Sequence, residues 1–271
     1  MDPFYIVIFA ALGVFSGFSA GLLGVGGGMV LVPFLNFLLP KLGVPSLLVV
    51  HASIATAMAT IIFTSISSMR AHNARGGVRW DLIVLLAPAV VVGGLLSGGA
   101  IFSVVNGLAL AIFFTFFVFY SAIKMLRDVP PPVGRALPTP WVVRGVGVLI
   151  GLISGLLGAG GGFLTVPFLV RSNILMPIAV GTSAALGFFI AVANGVGYMI
   201  SGAKYTDLSA GMLGYVYWPA MVVLVAMSML TAPLGARAAH AMPVKRLKRV
   251  FAVLLLLLAA QMLFDTIKVY S

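Results

Sequence analysis

Cysteine is absent from the 271 residues, and so is glutamate. The first absence removes disulfides, thiolate chemistry and Cys-ligated metals. The acids are five aspartates: Asp2, Asp81, Asp128, Asp207 and Asp265. Charged residues make up only 8% of the chain and hydrophobic residues 62%, whereas a soluble domain is about a quarter charged. A soluble enzyme, a disordered protein and a secreted disulfide scaffold are excluded, and a polytopic membrane protein remains. The 16 basic residues outnumber the acids and leave a net charge of +11. They sit in short loops between long apolar runs, as expected of loops held by a negatively charged inner leaflet. A nucleic-acid binder would instead cluster them on one water-exposed face, so no nucleic-acid partner is expected. The opening MDPFYIVIF has no basic stretch before its apolar run, and reads as a retained membrane segment and not as a cleaved signal peptide.

Eight apolar blocks follow one another, over residues 4–39, 44–69, 80–97, 102–126, 141–170, 174–200, 207–233 and 250–267. A spanning helix needs about 20 apolar residues. Lipid forbids unpaired backbone groups, and these blocks are too long and unalternating for barrel strands, so each is expected to be helical. The longest hydrophilic gap carries Pro130, Pro131, Pro132, Pro138 and Pro140. Consecutive prolines are extended, so this is a linker.

The linker separates two copies of one unit. Residues 21–35 read GLLGVGGGMVLVPFL and residues 155–169 read GLLGAGGGFLTVPFL, identical at 11 of 15 positions. Further on, HASIATA from His51 aligns with GTSAALG from Gly181, and VRWDL with KYTDL, which superposes Asp81 on Asp207. The domains expected are a first transmembrane repeat at 1–126, a Pro-rich cytoplasmic linker at 127–140 and a second repeat at 141–271. Asp81 and Asp207 fall at block starts and resemble helix caps. His72 and His240 read as loop residues.

Charge placement orients the copies. Arg70, Arg75 and Arg79 follow the second block, and the third is followed by none. In the second copy the bias reverses, with Lys204 and Asp207 after block six, and Arg237, Lys245, Arg246, Lys248 and Arg249 after block seven. Because positive loops favour the cytoplasm, the halves are expected to be inverted, each crossing an odd number of times. The first block of each half must then start and end on one face. It is expected to be a hairpin of two shortened helices, broken at Gly24–Gly28 and at Gly158–Gly162, followed by three spanning helices. The plainer alternative is eight simple spans in two parallel units.

A run of Gly26, Gly27 and Gly28 is poor helix interior, at up to roughly 1 kcal/mol each. A break there exposes the N–H groups that open the next helix, with the positive end of its dipole behind them. That is a ready anion cradle, and facing inverted repeats can bring two together. The alternative is that small residues simply let helices approach. The candidate substrate-binding residues are Gly26, Gly27, Gly28, Gly160, Gly161 and Gly162 for the cradles. His51, Ser53, Thr182, Ser183 and Asn194 are candidate side-chain donors. A serine or threonine here can equally bond its own helix, and His51 can be a structural link between helices. No catalytic residues, metal site or cofactor are expected. HExxH, paired aspartates and a Ser-His-Asp spacing are all missing, so no enzyme is expected.

Both glycine segments, their duplication and the chain length resemble the sulfite exporter TauE/SafE family (TSUP, DUF81) of membrane transporters. GTS at residues 181–183 is similar to the family pattern, and HAS at 51–53 departs from it. The resemblance implies an inner-membrane, multi-pass secondary transporter that moves sulfite, a sulfonate or a related organosulfur or organic anion. A passive anion channel is the alternative. The partners implied are the small anionic substrate and the lipid bilayer. A coupling ion of open identity and a homo-oligomer are both compatible with this reading.

Overall fold

The computed structural model describes residues 1–24, 26–127, 136–241 and 245–270. Among these, α1 covers Pro3–Leu23, α2 Gly28–Leu38, α3 Val49–Asn73, α4 Trp80–Leu95, α5 Gly107–Arg127, α6 Pro140–Leu157, α7 Gly162–Arg171, α8 Met176–Ser201, α9 Trp218–Ala241 and α10 Lys245–Tyr270. Their starts follow from local chemistry. The Asp2 carboxylate caps α1 by accepting the Phe4 N–H at 2.8 Å, and Pro3, Pro140 and Pro177 pre-set the first turns of α1, α6 and α8. Eight described helices are long and apolar enough to cross a membrane, while α2 and α7 are short. Large apolar side chains such as Val7, Val84, Leu149, Leu230 and Leu257 face outward, as lipid contact requires. The chain is an all-α, multi-pass membrane protein.

The broken blocks have unequal arms. α1 has 21 residues and α6 has 18, against 11 for α2 and 10 for α7. The expected pair of shortened helices is replaced by one full-length arm and one short one. The physical reason is where the stops fall: Gly24 and Gly158 end the first arms only after a full span of apolar residues. A 3-10 turn carrying Pro40 then ends α2, and Asn173, with φ 59°, lies just beyond α7.

Helix directions can be read from contacts. α1 lies parallel to α9, with Gly13 against Leu224, Gly17 against Ser228 and Gly21 against Ala232. α6 lies parallel to α4, with Gly147 against Ala89 and Gly151 against Val90. Thr56 accepts from the Tyr217 N–H at 2.9 Å and Thr64 meets Ser228 at 2.6 Å, so α3 also runs with α9. Thr182 accepts from the Arg79 N–H at 3.0 Å and Ser201 donates to Gly98 O at 2.9 Å, so α8 runs with α4. α3 and α8 cross antiparallel, with Gly181 at His72, Gly187 at Ser65 and Gly195 at Ile62. α5 packs on α10, where Thr115 donates to Ala259 O at 3.3 Å. The helices on either side of the linker thus interlock.

Three local expectations change. His72 is fully buried in the last turn of α3, with Nε2 2.9 Å from Gly21 O. It meets a carbonyl from the last turn of α1 that has no partner within its own helix. Asp207 caps no helix, because its Oδ1 accepts from the Ser209 N–H at 3.0 Å, the Ser209 hydroxyl at 2.6 Å and the Ala210 N–H at 3.2 Å. It closes a turn before a small hairpin, β1 Met212–Leu213 and β2 Val216–Tyr217, which delays α9 to Trp218. Asp81 sits in the first turn of α4 and pairs at 2.5 Å with Arg79 in an exposed ion pair, so it also caps no helix. The core of the proline-rich linker (128–135) and the side chain of His240 lie outside the described residues.

Candidate functional site

Each broken block stops and restarts through glycine. Gly24 (φ 67°) closes α1 by donating its N–H to Ala20 O at 2.9 Å, and Gly27 (φ 77°) is the N-cap of α2. Gly158 (φ 64°) and Gly161 (φ 78°) do the same for α6 and α7. These left-handed angles suit glycine and strain any other L-residue. Both restarts are N-capped by a residue with no side chain. Val30 and Leu164 donate back to Gly27 O and Gly161 O, and the N–H groups of Gly28, Met29, Gly162 and Phe163 are left for an outside partner.

The two breaks meet. A Cβ on Gly26 would lie 3.1 Å from both Cα and N of Gly160, and one on Gly28 would overlap the Gly158 carbonyl oxygen. Two backbones therefore touch where α2 and α7 begin. Beside this junction is a cavity of roughly water size, lined by Ala20, Gly24, Gly26, Ser65, Ser68, Gly160, Ala184 and Gly187. Ser65 donates to Ile62 O at 3.0 Å, while Ser68 Oγ is buried with no hydrogen-bond partner. Ser183 flanks the junction and donates to Gly24 O at 3.1 Å. A buried orphan hydroxyl beside helix N-termini is suited to an anion's oxygen.

The structure brings Gly26, Gly28 and Gly160 together here. Gly27, Gly161 and Gly162 form the adjoining helix starts, and Ser183 steadies the break. Other candidates stand apart. Ser53 spends its hydroxyl on Val49 O at 2.7 Å, within its own helix. Thr182 is held by the Arg79 N–H. Asn194 donates to Ile190 O at 2.9 Å and lies against Gly94, beyond the junction along α8. His51 lies near the start of α3, with Nε2 3.0 Å from Val105 O, stacked on Tyr215 at 5.2 Å and edge-on to Phe102 at 5.0 Å. It belongs to an aromatic cap that Tyr198 completes.

Ser65 and Ser68 are the site residues that the sequence reading missed. Their signal was present, because they lie three apart and so share one face of α3. Among the described residues, no three His, Asp, Glu or Cys side chains converge as a metal site would need.

Comparison with known proteins identifies the family. The family model for "Sulfite exporter TauE/SafE" matches residues 9–262. A "Probable membrane transporter protein" of Haemophilus influenzae is 34% identical over 259 residues, covering 95% of this chain and 98% of that protein. "Probable membrane transporter protein YunE" of Bacillus subtilis is 26% identical over 283 residues, covering 96% and 98%. An Arabidopsis thaliana "Sulfite exporter TauE/SafE family protein 6" is 36% identical over 59 residues, covering 22% of this chain and 14% of that one. No solved structure matches the chain. With paired glycine breaks among described helices of which eight are long and apolar enough to cross a membrane, the chain belongs to the sulfite exporter TauE/SafE family of membrane transporters.

Proposed function

We propose that the protein is an inner-membrane secondary transporter that moves sulfite, a sulfonate or a related small organic anion by alternating access. The observation that carries this reading is the meeting of two helix starts, Gly28 and Gly162, through the Gly26–Gly160 contact. Two sets of first-turn N–H groups, two dipole ends and the Ser68 hydroxyl then serve one oxyanion. The cavity has about the size of water, so it must widen to admit substrate, and widening toward one face at a time is alternating access. In a proteoliposome screen of sulfite, sulfate, thiosulfate, sulfoacetate, taurine and small carboxylates, one class should give saturable uptake with counter-flow. Unsaturable flux without counter-flow would favour a passive channel.

In this reading the gating bodies are two inverted repeats, 1–126 and 141–271, joined by the 127–140 linker. The antiparallel crossing of α3 and α8 supports it, because those helices are sequence copies and parallel repeats would run them the same way. The interlocking pairs α1·α9 and α4·α6 also exchange under inversion. Following the helix directions, Arg70, Arg75, Arg79, Arg127, Arg144, Arg171 and Arg237 gather at the linker end. Lys41, Lys204 and Lys268 gather at the other. The linker end is therefore cytoplasmic, and both termini are extracytoplasmic. The native chain has no cysteine, so single-cysteine labelling tests this cleanly. Cysteines at 75 and 245 should label from the same, cytoplasmic face; opposite faces would sink the inverted arrangement.

The hydroxyls can be ranked by what they already bond. Ser68→Ala should weaken substrate binding by roughly 1.5–3 kcal/mol, the scale of a hydrogen bond to a charged group. Ser183→Ala should cost less, about 1 kcal/mol, because Ser183 acts through the Gly24 carbonyl. Ser53→Ala should leave affinity unchanged, since its hydroxyl is bound to Val49 O. Calorimetric titration of the three variants gives the order; if Ser53→Ala were the most damaging, the site would lie elsewhere.

A further inference from the structure

A second buried polar cluster lies against the last turn of α6, close to the glycine junction. Past Leu95 the backbone of α4 widens into a π-helical turn, Leu96–Ile101, a feature often found at functional sites. Ser97 within that turn and Asn194 on α8 are both fully buried. Ser97 Oγ and Asn194 Oδ1 each lack a hydrogen-bond partner. A Cβ on Gly155 would overlap both oxygens. They therefore flank one point of α6, in its last turn before the Gly158 break.

Two acceptor oxygens are left over at that point, and the Ser97 hydroxyl can turn its proton away from a cation while presenting its lone pairs. Asn194 gives one of its two amide N–H groups to Ile190 O, and the Tyr198 hydroxyl is already donated to Gly155 O. An amide oxygen has no proton to give. In the last turn of α6, Gly155 O accepts from Tyr198 and Gly158, and Ser154 O accepts from Ala159. That turn therefore adds second lone pairs, the Leu156 and Leu157 carbonyls and the negative end of its dipole. Among the described residues no aspartate is buried, so none of them offers a carboxylate there to take up a proton. Buried neutral oxygens at a helix C-terminus suit a hard, weakly charged cation. Transporters with broken helices bind Na⁺ through such carbonyl ends.

We infer that Ser97, Asn194 and the last turn of α6 bind a monovalent alkali cation. The site stands on these groups alone, and its role as the coupling ion rests on the transporter reading above. The link to the junction is short. Gly158 donates its N–H to Gly155 O at 3.3 Å, and the Gly158 carbonyl abuts Gly28. A cation here would fix the turn that presents one break to the other, and its charge would offset that of the anion nearby.

The test uses the purified full-length protein in detergent. Thermal melting and ²²Na⁺ binding are measured in sodium, lithium, potassium and choline chlorides at matched ionic strength. At least one alkali cation should raise the melting temperature saturably over choline. Ser97→Ala should weaken that cation's binding roughly tenfold, a loss of about 1.4 kcal/mol, while melting like the parent in choline. Asn194→Asp, which adds a charge at the same place, should tighten it. Identical melting in all four salts would overturn the inference. So would a cation effect that neither Ser97→Ala nor Asn194→Asp alters, since the two oxygens would then hold only water. Sulfite binding in choline, measured in parallel, keeps the two readings apart. Anion binding without any cation effect removes only the cation site. Cation binding with no anion bound or transported removes the transporter reading and leaves the site.

Discussion

Gly28→Leu should abolish anion flux in proteoliposomes and lower the melting temperature, while the protein still inserts. Gly28 is the first residue of α2, where backbone meets backbone. Its Cβ would overlap Gly158 O and lie 2.9 Å from both the Gly158 carbonyl carbon and Ile61 Cδ1. The carbonyl belongs to a residue locked at φ 64° between two helices, so it cannot swing aside as a side-chain tip could. Overpacking of this kind costs about 1–3 kcal/mol in stability, but the functional loss should be larger. Separating the breaks moves both sets of first-turn N–H groups off any shared anion. Gly28→Ala applies the same test with one methyl group and should already lose most flux. Gly145→Ala is the matched control. It lies exposed in α6 with open space around its Cβ, and helix propensity alone should make it neutral to favourable by up to about 1 kcal/mol. Parental flux in Gly28→Leu would mean that substrate does not pass the junction.

The junction was legible in the sequence because its signal is doubled. A glycine run can serve packing or a break, but the same run 134 residues later, each time followed by VPFL, points to a break used twice. The reversal of loop charge was legible for the same reason, since it compares copies. What failed to show were the choices made among equivalent polar atoms. Ser53 and Ser183 align in the two copies, yet one bonds its own helix at Val49 O and the other crosses to Gly24 O. A serine on a helix has both options within reach, and only the distance to the neighbouring backbone decides. His72 illustrates the same point. Its place among Arg70, Arg75 and Arg79 suggested a loop, but α3 runs one turn further and buries the ring against Gly21 O. The unequal arms were hidden because apolar residues continue through the break on both sides. Composition says where lipid can be met, and not how far each arm runs. The Met212–Tyr217 hairpin was hidden inside an apolar block for the same reason.

Gly235→Leu and Gly93→Leu should each cost most of the folded protein, in a way that separates packing glycines from site glycines. A Cβ on Gly235 would overlap Phe18 O on α1, and one on Gly93 would overlap Val148 O on α6. Facing them, Gly21 meets Ala232 O and Gly151 meets Val90 O, so both interfaces bring backbones together through small residues from each side. In a bilayer this closeness is the source of stability. Lipid tails are as apolar as leucine, so burial gains nothing, and association rests on dispersion and close fit. A branched side chain here wedges the helices apart and gains nothing from lipid in return. The penalty should reach or exceed the roughly 1–3 kcal/mol typical of overpacking. It should appear as lost yield and a lowered melting temperature, with no selective change in substrate affinity. Disulfide trapping distinguishes this from a damaged site. Thr231 donates to Val14 O at 3.0 Å, so Val14→Cys with Thr231→Cys joins α1 to α9 in an otherwise cysteine-free chain. The cross-link should form in the parent and in Gly28→Leu, whose lesion lies at the junction, and should fail in Gly235→Leu. If Gly235→Leu cross-links and melts like the parent, the α1·α9 contact tolerates a wider spacing. The interlocking of the two halves would then rest on the α3·α8 crossing.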